Sequence, residues 1–461
     1  MSAGSSSIRT APWQALATAL RGKLLLPEHP DFDTHRRVWN GAIDRRPLAI
    51  ARCIDAEDVA AAVKSAARER MPMTVRGGGH NVAGLAVRDD ALMLDLGAMN
   101  RVEIDAQARI ARVEGGALWR DVDTATQPHG LATTGGFVST TGVGGYTLGG
   151  GVGWLMRRCG LAIDNLLEAE VVLADGRSVT VSDKQHPDLF WGLRGGGGGL
   201  GVVTRFTFRL HPLAKVHAGV VFYPVDAAPA LLRAFRAFTP DAPDALTAML
   251  VFTTAPPLPF LPVEAHGQRA VALAYCWNGD PAQGARAAAP IAEAAEPLGR
   301  HEGEMPYAAW QQTFDPAVPP SHHYYWTTSQ FDAFDDALIE ALAPRAAERA
   351  DPLCEVHVHH LGGAVARIAN DATAFSHRDA AFFINVIGHT DAAERFAGIR
   401  DWARGLRAAL APHARADMQP NFVGEVADLD AHAPGSATRT KLSALRARYD
   451  PEGLLAPVRS G

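Results

Sequence analysis

The stretch Val75–Gly84 reads VRGGGHNVAG: three consecutive glycines, then one histidine, introduced by MPMTV, which reads as a short strand. Glycine lacks Cβ, so successive glycines can turn their backbone N–H groups toward one point, a concave nest suited to a diphosphate. A histidine at the end of such a loop stands beside whatever the diphosphate carries. Glycine-rich loops also serve as plain turns, so this loop by itself decides nothing.

Two further glycine clusters sharpen the reading. One is GVGGYTLGGGVG, Gly142–Gly153; the other is DLFWGLRGGGGGLGVVTRFTFRL, Asp188–Leu210. The second contains a formal GxGxxG at Gly196, Gly198 and Gly201, which invites a Rossmann assignment. That fingerprint requires a helix directly after the loop. Here Val202, Thr204, Phe206, Phe208 and Leu210 alternate with Val203, Arg205, Thr207 and Arg209, the period of a strand. The Rossmann reading fails its own context.

The elements that must hold these loops are short. A helix is expected over Trp13–Leu25, ending at Pro27. IARCIDAEDVAAAVKSAARERMPMTVRGG reads strand, helix, strand, with Asp55 as N-cap. ALMLDLG and RIARVEGG read as strands, ALWRDVDTATQPHG as a helix, and LLEAEVVLADGRSVTVS as a hairpin turned at Asp175-Gly176. Beyond Pro212 glycine thins out. KVHAGVVFY, LTAMLVFTT, RAVALAYCW, HHYYWTTSQF, CEVHVHHLG and AAFFINVIG read as strands, with helices in APALLRAFRAF and DAAERFAGIRDWARGLRAAL. In the last, Phe396, Ile399, Trp402, Leu406 and Leu410 recur at helical spacing and should face a sheet. The natural solution is α+β, an antiparallel sheet backed by helices on one face.

RGGGHNVAG, STTGVGGYTLGGGVG, RCGLAIDNL, DLFWGLRGGGGGLGVVT and LRARYDPEGLL occur in that order between about Arg36 and Leu455. Together they resemble the FAD-linked oxidases typified by berberine bridge enzyme, within the vanillyl-alcohol-oxidase (PCMH-type FAD-binding) superfamily. The resemblance implies a terminal extension over 1–35, an FAD-binding domain over 36–213, a substrate domain over 214–414, and a segment over 415–461 that returns to the first domain. It implies FAD bonded covalently to His80. Arg76, Gly77, Gly78, Gly79 and Asn81 would surround the diphosphate, and Thr140, Thr141, Gly144, Gly145, Gly149 and Gly150 would line the ribityl chain and ring edge. Val203 and Asn421 are further cofactor positions. The implied reaction is hydride transfer from a small organic alcohol or amine to flavin N5, with O2 taking the electrons to give H2O2. A dehydrogenase using another acceptor and a flavin-binding protein without turnover are the alternatives.

The chain departs from the family in places. The usual tyrosine base is missing from Met418-Gln419-Pro420-Asn421-Phe422. Other candidates lie on CEVHVHHLGG, where Glu355, His357 and His359 share one strand face and Val356, Val358 and His360 the other. Those positions also suit partly exposed polar strand residues, and a metal site on His357 and His359 lacks a third ligand. Tyr146, inside the glycine segment, is a candidate for touching ring or substrate. Alternate members of His322–Trp326 are candidates for the pocket wall, and His377 and Arg378 in Phe375-Ser376-His377-Arg378 read as structural. Some relatives attach the flavin through a cysteine as well; that position is Val138 here, so one link is expected. Cys159 reads as an inert thiol.

Composition excludes other classes. With 44 basic against 50 acidic side chains the chain is no polycation, and nucleic acid is not an expected partner. No apolar run reaches membrane-spanning length. MSAGSSSIRTAPW lacks the features of a secretion signal, so disorder to about Ser7 and a cytoplasmic location are expected. The 4 scattered cysteines show no CxxC spacing, so neither disulfide framework nor metal site is expected. A homodimer is the base-rate expectation.

Overall fold

The computed structural model describes residues 11–376, 378–415, 419–426 and 435–455. The expectations placed on the first seven residues, His377 and Met418 lie outside these. Three sheets organise the α+β fold. A 4-stranded sheet orders Lys23–Leu25, Ala49–Arg52, Leu92–Asp95 and Met73–Arg76. Its last three strands are parallel, and the helix Ala56–Arg68 makes the crossover that parallel strands need. The Asp55 side chain caps that helix by accepting from the Asp58 N–H. The strand Lys23–Leu25 corrects the expected first helix, which stops at Ala19. Gly22 explains the stop: a Cβ there would lie 2.0 Å from the Arg52 carbonyl oxygen, so the chain runs flat against its neighbour.

A 5-stranded antiparallel sheet follows, with Val202–Arg209 at its centre between Ile110–Glu114 and Leu166–Val172. The segment after the last glycine cluster is thus a strand, as its alternation requires. Gly176 (φ 77°) turns the expected hairpin between Leu166–Val172 and Ser178–Ser182.

The second half forms a 7-stranded antiparallel sheet in the order Gly299–Pro306, Lys215–Pro224, Arg269–Trp277, Leu246–Thr254, Glu355–His360, Phe382–Thr390, His323–Phe331. Four helices (Ala228–Phe238, Gly284–Ala292, Asp336–Ala347, Phe396–Leu410) cover one face, packing on Leu250, Phe252, Val356, Val358, Ile384 and Val386. In Phe396–Leu410 the buried stripe is Ile399, Ala403, Leu406 and Leu410, with Phe396 and Trp402 partly buried beside it. Full burial of each large aliphatic side chain contributes about 1.5–3 kcal/mol.

The opposite face looks toward the first half of the chain. Buried cations lock the two halves together. Arg378 donates to both carboxylate oxygens of Asp164 at 2.9 and 2.8 Å, and both residues are almost fully buried. Arg157 donates to the carbonyls of Leu246, Ala242 and Leu361. The helix Ser436–Tyr449 then brings the chain back, placing Leu442 and Leu445 in the core of the 5-stranded sheet and Leu454 and Leu455 in that of the 4-stranded one.

Candidate active site

The strand Met73–Arg76 delivers the glycine loop to the edge between the two halves. Gly79 adopts φ 66°, a left-handed conformation that glycine reaches without strain. The loop lies directly on the second glycine segment: a Cβ on Gly78 would sit 2.6 Å from Gly142 Cα, and one on Gly142 would sit 2.4 Å from Gly78 N. Only bare backbone allows this approach. Gly145 is exposed, and a Cβ there would meet nothing within 4 Å, so the short helix Val143–Leu148 presents an open, side-chain-free surface.

His80 closes this wall. Its Nε2 lies 3.4 Å from Thr140 Oγ1, and its ring stacks on Trp39 with centroids 4.2 Å apart and 16° between planes. Burial pushes the His80 imidazole down to about 4, so it is neutral at physiological pH and keeps a nucleophilic lone pair. A backbone cradle open at Gly145, with a neutral imidazole at its end, fits an FAD held by its diphosphate and ribityl chain.

The opposite wall is the helix-free face of the 7-stranded sheet, which packs on the first half of the chain. Trp39 stacks on Tyr324 at 3.9 Å and Tyr324 on His389 at 4.3 Å, joining the His80 loop to two strands of that sheet. Asn40 holds the same junction: its amide donates to the carbonyls of Tyr324 and Val82, and its Oδ1 accepts from the Tyr324 N–H. From there Trp326, Phe422, Phe383 and His359 continue the wall in ring-to-ring contact. The alternation expected for the aromatic run is present, since Tyr324 and Trp326 face this wall while Tyr325 packs with the helices.

Glu355, His357 and His359 do share the site-facing side of their strand, and Val356 and Val358 the helix side. Glu355 Oε2 lies 2.8 Å from His357 Nε2, and Glu355 Oε1 accepts from the Thr253 hydroxyl at 2.7 Å. Burial by itself would raise the Glu355 carboxyl, but the hydrogen bonds from His357 and Thr253 outweigh it and hold the group below its usual range. His359, stacked on Phe383 at 4.1 Å, is driven well below 6.5 by burial and stays neutral.

Other expected positions sit differently. Tyr146 turns into the core of the FAD-binding half, its ring edge-on to Trp119. Burial raises its phenol well above 10, so it is no base at neutral pH. Asn421 commits its side chain to the second glycine segment, donating to the Tyr146 carbonyl at 2.9 Å and accepting from the Gly151 N–H at 3.1 Å. The Arg76 guanidinium reaches Asp95 at 3.4 Å beneath the loop. The Asn81 side chain accepts from the Leu85 N–H, and Val203 is buried in the core. Cys159 is a free thiol whose pKa burial raises to about 11.

Residues 47–182 match the family described as FAD binding domain. An FAD-linked oxidoreductase of uncharacterised function from Bacillus subtilis (strain 168) is 28% identical over 414 residues, covering 87% of this chain and 88% of its own. (R)-6-hydroxynicotine oxidase of Paenarthrobacter nicotinovorans is 38% identical over 208 residues, 45% of each chain. Among solved structures, 6-hydroxy-D-nicotine oxidase from Arthrobacter nicotinovorans superposes with a TM-score of 0.84 at 26% identity, over 94% of this chain and 96% of that one. Glucooligosaccharide oxidase from Acremonium strictum shares the fold, with a TM-score of 0.85 at 23% identity over 97% and 98% of the two chains. The chain carries an FAD-binding domain and is an FAD-linked oxidoreductase, similar to these proteins over most of its length.

Proposed function

We propose that the chain is an oxidase for a small organic amine, with FAD bonded to His80 and the Glu355–His357 pair taking the substrate proton. Bound FAD supplies the hydride acceptor, N5, and passes the electrons to O2 as H2O2. The chain's own part is positioning and proton transfer. Thr253 and Glu355 orient the imidazole of His357: in the tautomer that donates Nε2–H to Glu355, Nδ1 keeps its lone pair for the substrate N–H or O–H. The Glu355 carboxylate then stabilises the imidazolium that forms. Trp326, Phe383 and Phe422 exclude water from the wall beside it.

The observation that favours an amine over an alcohol is the charge pattern. At the site-facing positions of the 7 strands the only carboxylate is Glu355, and none holds Lys or Arg. One anion amid aromatic rings attracts a cationic amine and its ring. The name of the hydroxynicotine oxidase relative supports the same class. A peroxide assay over panels of small secondary and tertiary amines and of alcohols tests the reading. Turnover with amines is expected. Turnover confined to alcohols, or failure of every compound to bleach the flavin anaerobically, contradicts it. Reduced protein should reoxidise in air-saturated buffer within seconds, and far slower reoxidation would make it a dehydrogenase.

A further inference from the structure

Trp39 belongs to no motif in the sequence, yet it occupies the centre of a stack of four rings, His80–Trp39–Tyr324–His389. The stack is pinned from several sides. Trp39 N–H donates to the Gly79 carbonyl at 3.0 Å, its carbonyl accepts from Ser321 N–H at 2.9 Å, and its indole N–H reaches the Val318 carbonyl at 3.2 Å. The Tyr324 hydroxyl donates to the Pro319 carbonyl at 2.6 Å, and His389 Nε2 meets His322 Nδ1 at 2.9 Å. One face of the His80 imidazole is therefore covered by indole, and its Nε2 edge is fixed by Thr140. Tyr324 and His389 lie on the 7-stranded sheet, so the anchoring histidine is set in place only when both halves of the molecule are docked.

We propose that Trp39 is a positioning residue for flavin attachment: by stacking on His80 it holds the imidazole at the angle needed to bond the cofactor. This rests on the covalent reading above. In that step a bond forms between an imidazole nitrogen and the flavin C8 methyl carbon, and one hydrogen leaves each partner. The accompanying two electrons enter the ring system, and O2 removes them with the two hydrogens as H2O2. Trp39 takes no part in the electron transfer; it restricts the approach.

The full chain, expressed under riboflavin limitation and then given FAD, tests this by the time course of acid-precipitable flavin. Trp39→Leu should slow attachment by about 10²-fold, the scale of a reacting group misplaced by about 1 Å. Trp39→Phe, which keeps a stacking ring, should restore most of the rate while lacking the indole N–H. Reversible FAD binding, read by fluorescence quenching, should persist in both. Attachment by Trp39→Leu at the wild-type rate overturns the proposal, as does Trp39→Phe behaving like Trp39→Leu. Should Trp39→Leu not fold, Tyr324→Leu serves instead, since it removes the ring behind Trp39; slowed attachment supports the stack and an unchanged rate overturns it. Wild-type protein with no acid-stable flavin would overturn the covalent reading itself, an outcome distinct from any difference between variants.

Discussion

Glu355→Gln should lower turnover about 10²- to 10⁴-fold while leaving flavin content unchanged, the loss expected when the proposed general base system is disabled. Glutamine keeps the shape and can still accept from His357 Nε2, but it carries no charge to balance an imidazolium. The pair at 2.8 Å then orients the ring without paying for its protonation. The pH profile carries the sign. The folded-state Glu355 carboxyl lies below its ordinary value, so the carboxylate is present at neutral pH and activity falls as pH drops through that lowered value. In Glu355→Gln this acid limb should flatten. Tyr146→Phe is the matching control. Its hydroxyl is buried in the first half's core, so turnover should stay within a few-fold of wild type. A Glu355→Gln enzyme of near-normal rate, or a Tyr146→Phe enzyme as crippled as expected for Glu355→Gln, would reverse the roles assigned to these residues.

Asp164→Ala should destabilise the protein by about 3–5 kcal/mol, the cost of leaving a buried cation without its partner. Arg378 and Asp164 are exposed only 1% and 5%. Asp164 also accepts from the Leu161 N–H at 2.8 Å, so the RCGLAIDN turn loosens with it. Urea titration followed by tryptophan fluorescence measures the loss. Replacing both partners by leucine and methionine should recover much of it, because desolvation of the pair offsets most of its attraction. A loss of under about 1 kcal/mol for Asp164→Ala would mean that solvent reaches the pair, contrary to its burial.

The parts legible in the sequence are those written in local chemistry. Gly78 can be read because only glycine tolerates the approach to Gly142, and Gly79 because of its left-handed φ of 66°; Glu355, His357 and His359 can be read because strand period alone puts them on one face. The strand Gly299–Pro306 escaped because it is an edge: paired on one side only and with no buried residue, GRHEGEMP has no apolar alternation to show. The helix Gly284–Ala292 carries Pro290 inside it, and Asp336–Ala347 carries Pro344, which blur the helical signal. Trp39 was invisible for a different reason. Its role exists only through Tyr324, nearly three hundred residues away, and no pattern around VWNG announces such a partner. Likewise a tyrosine in a glycine segment says nothing of which way it turns; Trp119 and Gly136 decide that in the folded chain.

The central proposal is that His80 anchors the flavin. Trypsin cleaves after Arg76 and Arg88, so the measurement is the mass and absorbance of the peptide Gly77–Arg88 from acid-denatured protein. A yellow peptide heavier by the flavin, fragmenting to place the addition on His80 and absent from His80→Ala, is the expected result. An unmodified, colourless Gly77–Arg88 peptide from protein that was yellow before denaturation would contradict it.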